Sequence, residues 1–349
     1  MNTTLTAIAG LEVAHYTDLA NATGCTVVLC RAGAAGGVDV RGGSPGTRET
    51  DLLRPMRRVD RVHGIVLSGG SAYGLDAASG VMRYLEEQNI GVRVGQAVVP
   101  IVSSAILFDL GLITNKVRPG AGEGYAAAQA ASSDPVPEGS AGAGTGATVG
   151  KILGPDRAVK GGIGSAALVL PDGNTVAALV AVNAVGDVVD HQTGRLIAGP
   201  RRRSGKGFVP AVQALLEGEP DSGSDPGRDS ETNEYSDADS HIPSEAAEPL
   251  SNTTIGVVAT DATLTKEEAN WLARISHDGL ALSIRPCHTS RDGDTMFALA
   301  TNRRHPPGDL TSIGAAAVEV TAQAVLRAVE TATGIGGIPS VSELESDNC

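Results

Sequence analysis

The six residues Leu250-Ser251-Asn252-Thr253-Thr254-Ile255 bring a hydroxyl to the head of an apolar run. A hydroxyl in that position can attack the carbonyl just before it and cut the chain by an N→O acyl shift. The cut would free the α-amine of Thr253. An α-amine has a reference pKa of about 7.7–8.0, so it can serve as base for its own hydroxyl near neutral pH. Asn252 suits the step, because Asn tolerates unusual backbone angles better than most residues. A linker that runs into a strand beginning with Thr would give the same pattern, and spacing alone does not separate the two.

Other side chains could do chemistry beside it. Arg291-Asp292-Gly293-Asp294-Thr295 sets two carboxylates two residues apart around a glycine. Such a pair can orient an amine or share a proton, or be an ordinary Asp-Gly turn. A metal reading with His288 finds no third ligand at a recognisable spacing. Ser68-Gly69-Gly70-Ser71-Ala72-Tyr73-Gly74 misses the nucleophile-elbow pattern, because Tyr73 stands where Gly is required. It reads better as a helix N-terminus offering backbone N–H groups, with the Tyr73 hydroxyl nearby, or as a structural turn. The run Ala141 to Gly150 contains G-x-G-x-x-A but follows no strand, so it fails as a dinucleotide site. Lys151 follows it as a possible site cation. Asn183 lies within the apolar run Thr175 to Val189, where a buried amide needs partners or points into a site.

The elements that must position these residues are legible. Strands are expected over Cys25–Cys30, Val62–Leu67, Ala166–Leu170, Thr175–Val182, Thr253–Thr260 and Thr295–Ala300. Helices are expected over Tyr73–Gln88, from the capping box Thr265-x-x-Glu268 to about Gly279, and over Ser312–Thr333. The tail after Ile338 reads as loose. Strands and helices mix without strict βαβ alternation, which favours α+β layers.

Composition bounds the rest. With 349 residues and 41% hydrophobic side chains, the chain can build a core without disulfide or metal staples. No continuous apolar run has the length of a membrane helix, and Met1 to Asp18 has no secretory pattern. Four cysteines without a regular framework point to a reduced, cytoplasmic setting. The net charge is −13, and Glu217 to Ser251 alone holds eleven acids and one base. That segment cannot bury enough apolar surface to order itself, and the remainder is nearly balanced. The basic face that nucleic acid requires is missing; Arg201-Arg202-Arg203 with Lys206 is too short.

Taken together, these residues resemble the DmpA-type peptidases, the self-processing L-aminopeptidase/D-esterases that include β-peptidyl aminopeptidases and nylon-oligomer hydrolases. The resemblance spans nearly the whole chain. It is carried by Val38-Asp39-Val40-Arg41-Gly42-Gly43, Leu67 to Leu75, Val99 to Asp109, Gly142-Ala143-Gly144 with Lys151, Val182 to Gly186, and Asn252 to Ile255. It implies an αββα-type sandwich built jointly by a large fragment 1–252, ending in the acidic linker 217–251, and a small fragment 253–349. It implies that the fragments stay paired and assemble further, commonly as a tetramer of pairs. Thr253 would be the nucleophile, with Lys151, Asn183 and Tyr73 completing the site. The Asn252-Thr253 junction and the Asp292/Asp294 pair match the 6-aminohexanoate-oligomer hydrolases, where aminopeptidase members carry Ser and Glu.

The expected protein is therefore an N-terminal-nucleophile hydrolase of linear aliphatic amides or peptide N-termini, without metal or organic cofactor. Two readings compete with it: a threonine-dependent acyltransferase, and a non-enzymatic protein that binds a basic partner through its acidic linker.

Overall fold

A computed structural model describes residues 2–204, 206–218, 252–304 and 308–346. The acidic linker, apart from Glu217 and Gly218, lies outside the described residues.

Nine strands form one continuous mixed sheet. They are β1 (Glu12–Asp18), β2 (Thr23–Val40), β3 (Thr47–Arg48), β4 (Val62–Ser68), β5 (Val102–Ile106), β6 (Gly162–Val169), β7 (Thr175–Asn183), β8 (Thr253–Ala262) and β9 (Thr295–Arg304). The order is β6-β7-β8-β9-β2-β4-β5-β3, with β1 on the other edge of β2. The 18-residue β2 is the hinge of this arrangement. Its first half pairs with β1 and β4, and Ala35 to Val40 pair with β9. One long strand thus serves two half-sheets, which face each other.

Side-chain alternation shows the layers. Val28, Ile65 and Leu67 of one half share a core with Leu179, Val257 and Phe297 of the other. The opposite faces carry the helices. Cys25, Val27 and Val66 pack on α1 (Ala77–Glu87) and α2 (Ala121–Ala130). Val180, Val258 and Ala298 pack on α3 (Lys266–Ser283) and α4 (Leu310–Glu330). This is the α-β-β-α layering that the sequence resemblance implies. By length and composition α4 could cross a membrane, yet 61% of its apolar window is buried inside the protein. Alanine and valine give it that hydropathy because it is a core helix.

The structure corrects several local expectations. The sheet holds two parallel pairs, β4 with β5 and β8 with β9, each joined through a helix. α3 runs past Gly279 to Ser283, and Gly279 is there because α4 passes so close that a Cβ would lie 2.5 Å from the Val318 carbonyl oxygen. The tail is not loose throughout: Val341–Ser346 is a short helix with Val341 in the core. Asn183 is the last residue of β7 rather than a mid-strand residue.

Gly37 lies where β2 crosses α3, and a Cβ there would come 2.3 Å from the Ala269 backbone. Gly37→Ala should therefore destabilise the fold by about 1–3 kcal/mol, read as a lower urea midpoint with an unchanged slope.

Candidate active site

The site assembles where β7, β8 and β9 begin or end together. β8 pairs antiparallel with β7 in a register that sets Thr253 opposite Asn183. On its other edge β8 runs parallel to β9, and Asn252 bridges to Asp292 in the turn before β9. Thr253, Asn183, Asp292 and Asp294 are all buried. The Oδ1 of Asn252 is buried without a hydrogen-bond partner among the described residues.

The amide of Asn183 is fixed from several sides. Its Oδ1 accepts from Lys151 Nζ at 2.8 Å and from the Thr148 N–H at 3.0 Å. Its Nδ2 donates to the Phe108 carbonyl at 3.1 Å. Lys151 also donates to the Asn183 carbonyl at 3.1 Å. Loss of water around the ammonium lowers the Lys151 pKa to about 7, against the pull of Asp292. Lys151 is only partly covered as a residue, so this shift reflects the setting of its charged end.

The two carboxylates are held differently. Asp292 Oδ2 accepts from the Thr289 N–H and hydroxyl, at 2.9 and 2.6 Å. Burial, and then the neighbouring Asp294, raise the Asp292 pKa. Asp294 Oδ1 accepts from the Thr254 N–H at 2.7 Å. Its Oδ2 accepts from the His288 N–H and Nδ1, at 2.9 and 2.8 Å. Burial opposes a charge on His288, but its bond to Asp294 and the neighbouring Cys287 outweigh this and lift its pKa to about 10. The main chain of the turn is tied to the end of β2. Ser44 N–H donates to the Asp292 carbonyl, and the Arg41 and Gly42 N–H groups donate to that of Asp294. A Cβ on Gly42 would lie 2.3 Å from the Asp292 carbonyl oxygen, so this contact requires glycine.

At the junction itself, Thr253 Oγ1 donates to the Asn252 carbonyl. The Gly293 N–H donates to the same oxygen at 3.0 Å. Beside Lys151 opens a cavity of about 450 Å³, walled by Phe108, Leu110, Leu112, Thr148 and Pro155. Its size suits a small ligand, and its walls are mainly apolar. A smaller cavity near Leu196 and Phe208 shares none of these residues.

Tyr73 differs from the other candidates in its exposure. It is 60% exposed, with the Arg118 guanidinium 3.7 Å from its ring centre. The turn before it does present a backbone N–H to an anion, but the anion is internal: Gly70 N–H donates to Asp109 Oδ1 at 2.7 Å. His288 serves Asp294, and among the described residues no group of three His, Cys, Asp or Glu side chains could hold a metal ion.

Three contributors, Phe108, Thr289 and Lys160, escape sequence reading, and His288, weighed there only as a metal ligand, has another part. Phe108 contributes a carbonyl and a wall, and Thr289 and His288 hold the carboxylates. Lys160 is fully buried under the Gly-rich run, donating to the carbonyls of Gly144, Ala147 and Gly161. The run thus wraps an internal ammonium rather than a phosphate. Only His288-Thr289, four and three residues before the Asp-Gly-Asp turn, carried a readable signal: polar residues at turn spacing.

The folded pKa of His288 lies above its unfolded value of about 6.5. Its charge therefore stabilises fully below about pH 6.5, and that contribution fades as pH rises toward 10. His288→Ala, built into an uncleavable Thr253→Ala chain, should lose most stability at pH 6 and least at pH 10 in urea titrations.

Comparisons with known proteins place this geometry. The sequence pattern of Peptidase family S58 matches residues 3–341. An uncharacterized aminopeptidase of Mycobacterium leprae (strain TN) is 42% identical, over 96% of this chain and 92% of that protein. A 6-aminohexanoate-oligomer endohydrolase of Kocuria sp. (strain KY2) is 32% identical, over 91% of this chain and 82% of that one. Among solved structures, the L-aminopeptidase D-Ala-esterase/amidase of Ochrobactrum anthropi superposes with a TM-score of 0.67 at 18% identity. The match covers 99% of this chain and 93% of that one, and that structure is described as a variant of the Ntn hydrolase fold. At that identity the likeness concerns the fold alone.

Proposed function

The chain belongs to peptidase family S58, and from that membership and the site geometry we propose that it is a self-cleaving amide hydrolase whose nucleophile is Thr253. That it is an amide- or peptide-hydrolysing enzyme follows from the family and its relatives. The observation that carries the finer reading is the position of Thr253. It heads a buried strand between Asn183 and the Asp292/Asp294 turn, with its hydroxyl on the preceding carbonyl.

In the first reaction Thr253 Oγ1 bonds to the Asn252 carbonyl carbon, and the Asn252–Thr253 C–N bond breaks. The hydroxyl proton ends on the departing nitrogen, and water hydrolyses the resulting ester. Lys151, with its pKa near 7 and its bond to the cross-strand partner of Thr253, is suited to take up and return that proton. In the second reaction the freed amine replaces Lys151 as local base. Thr253 Oγ1 attacks a substrate amide, an acyl ester forms, the amine product leaves, and water regenerates the hydroxyl. Asp292 and Asp294 hold the amine in place, and Asn183 seats the carbonyl being attacked.

The large and small fragments remain paired because β8 hydrogen-bonds β7 across the cut. Further assembly, as a tetramer of pairs, rests on the family resemblance. The apolar cavity suits substrates with an unbranched aliphatic acyl part, such as 6-aminohexanoate oligomers, or peptides with an apolar N-terminal residue.

Intact-mass spectrometry checks the nucleophile. Wild type should yield a 97-residue fragment beginning Thr-Thr-Ile-Gly, numbered 253–349, while Thr253→Ala stays whole. A wild-type chain that stays whole would remove the self-cleavage reading. The rate of cleavage should rise with pH through about 7, as Lys151 deprotonates. One unit below that pKa it should be about tenfold slower than at its plateau. Lys151→Met should be slow at every pH in the same timed assay.

A further inference from the structure

We propose that the backbone N–H of Gly293 is the oxyanion donor of the self-cleavage step, and that it serves the acyl-enzyme of substrate turnover in the same way. The proposal rests on Thr253 acting as nucleophile and names a group that this reading leaves without a role. The N–H already lies 3.0 Å from the Asn252 carbonyl oxygen, the atom on which negative charge develops when Thr253 Oγ1 attacks. As the new O–C bond forms, the carbonyl π pair moves onto that oxygen. Thr253 gives up its own bond to this oxygen as its hydroxyl proton leaves. The Gly293 N–H remains and strengthens with the charge. When the C–N bond breaks, the pair returns and the carbonyl reforms in the ester.

A donor of this kind works when it cannot rotate away, and the Gly293 peptide is clamped on both sides. Asp292 is fixed through Oδ2 by Thr289 and through its carbonyl by Ser44. Asp294 is fixed through both carboxylate oxygens by Thr254 and His288, and through its carbonyl by Arg41 and Gly42. The residue between them has no room for a side chain. A Cβ would lie 2.8 Å from Thr253 Oγ1 and 2.8 Å from the Ser44 carbonyl oxygen. The glycine therefore lets the nucleophile and the N–H share one carbonyl. Since φ at Gly293 is not in the left-handed region, close approach rather than conformation is the reason for glycine here. The acyl ester of a substrate on Thr253 Oγ1 is the same functional group as the ester of Asn252, on the same oxygen. Its carbonyl can therefore reach the same donor.

The test removes the N–H without altering any side chain. It also weakens the Asp292 carbonyl as an acceptor for Ser44, a loss that Ser44→Pro, which lacks that donor but keeps the Gly293 N–H, controls for. Cell-free translation with glycolic acid at position 293 replaces the amide by an ester, and timed intact-mass spectra follow the cut. The ester precursor should cleave about 10²–10³-fold more slowly than wild type, with an unchanged circular-dichroism spectrum. Cleavage within threefold of wild type would overturn the proposal while leaving Thr253 as nucleophile. A wild-type precursor that never cuts would instead remove the reading beneath it.

A second measurement needs no altered backbone. Amide hydrogen exchange at Gly293 should be slow in the Thr253→Ala precursor. It should be at least tenfold faster in the cleaved wild type, where the Asn252 carbonyl is no longer tethered. Fast exchange already in the precursor, or no change on cleavage, would also overturn the proposal.

Discussion

A strand in the middle of a sheet must satisfy backbone hydrogen bonds on both edges, and the arrangement at Thr253 depends on that requirement. β8 has β7 on one side and β9 on the other. Its register against β7 is continuous from Val176↔Thr260 to Asn183↔Thr253. Sheet periodicity is two, so a slip by one residue would turn every side chain to the opposite face. Both faces of β8 are buried, one against β2 and β4 across the sandwich and one against α3 and α4. The register is thus pinned by packing as well as by hydrogen bonds. Thr253 cannot move relative to Asn183 or the Asp292 turn without breaking this core.

The second organising feature is how charge is buried. An ionised group removed from water is costly unless it is paired or fully hydrogen-bonded. This chain uses both remedies within one region. Asp294 is paired with His288 and capped by Thr254. Lys160, wholly enclosed, spends its three donors on three main-chain carbonyls. One of those carbonyls belongs to Ala147, which precedes the Thr148 N–H that orients Asn183. Asp292 and Lys151 are hydrogen-bonded as well, to Thr289 and to Asn183. Burial still moves pKa values toward the neutral form, up for Asp292 and down to about 7 for both Lys151 and Lys160.

Membership of peptidase family S58 gives this arrangement its chemical meaning, since relatives bear names as different as aminopeptidase and 6-aminohexanoate-oligomer endohydrolase. Both names describe hydrolysis of an amide. What differs between such substrates is the shape around the amide, and the cavity beside Lys151 is walled by loops near Phe108, Leu112 and Pro155. The scaffold and the walls are thus separate parts of the molecule.

The sequence by itself determined the α+β class, the strand beginning at Thr253, the two carboxylates about Gly293, and the roles of Lys151 and Asn183 as candidates. Those features are local: an apolar run, a capping box and an Asp-Gly-Asp turn each declare themselves within a few residues. Only the tertiary structure decided which of them meet. Tyr73 looked equivalent to Asn183 in the sequence, yet its ring is exposed beside Arg118 whereas Asn183 is buried opposite Thr253. The Gly70 turn looked like an anion site and is filled by Asp109, 39 residues further along. Phe108, His288 and Lys160 gave little sign, because a carbonyl acceptor, a positioning imidazole and a buried ammonium are defined by partners far away in the chain. Hydrogen bonds between strands and loops depend on register and crossing geometry, and these follow from packing the whole core rather than from any one segment.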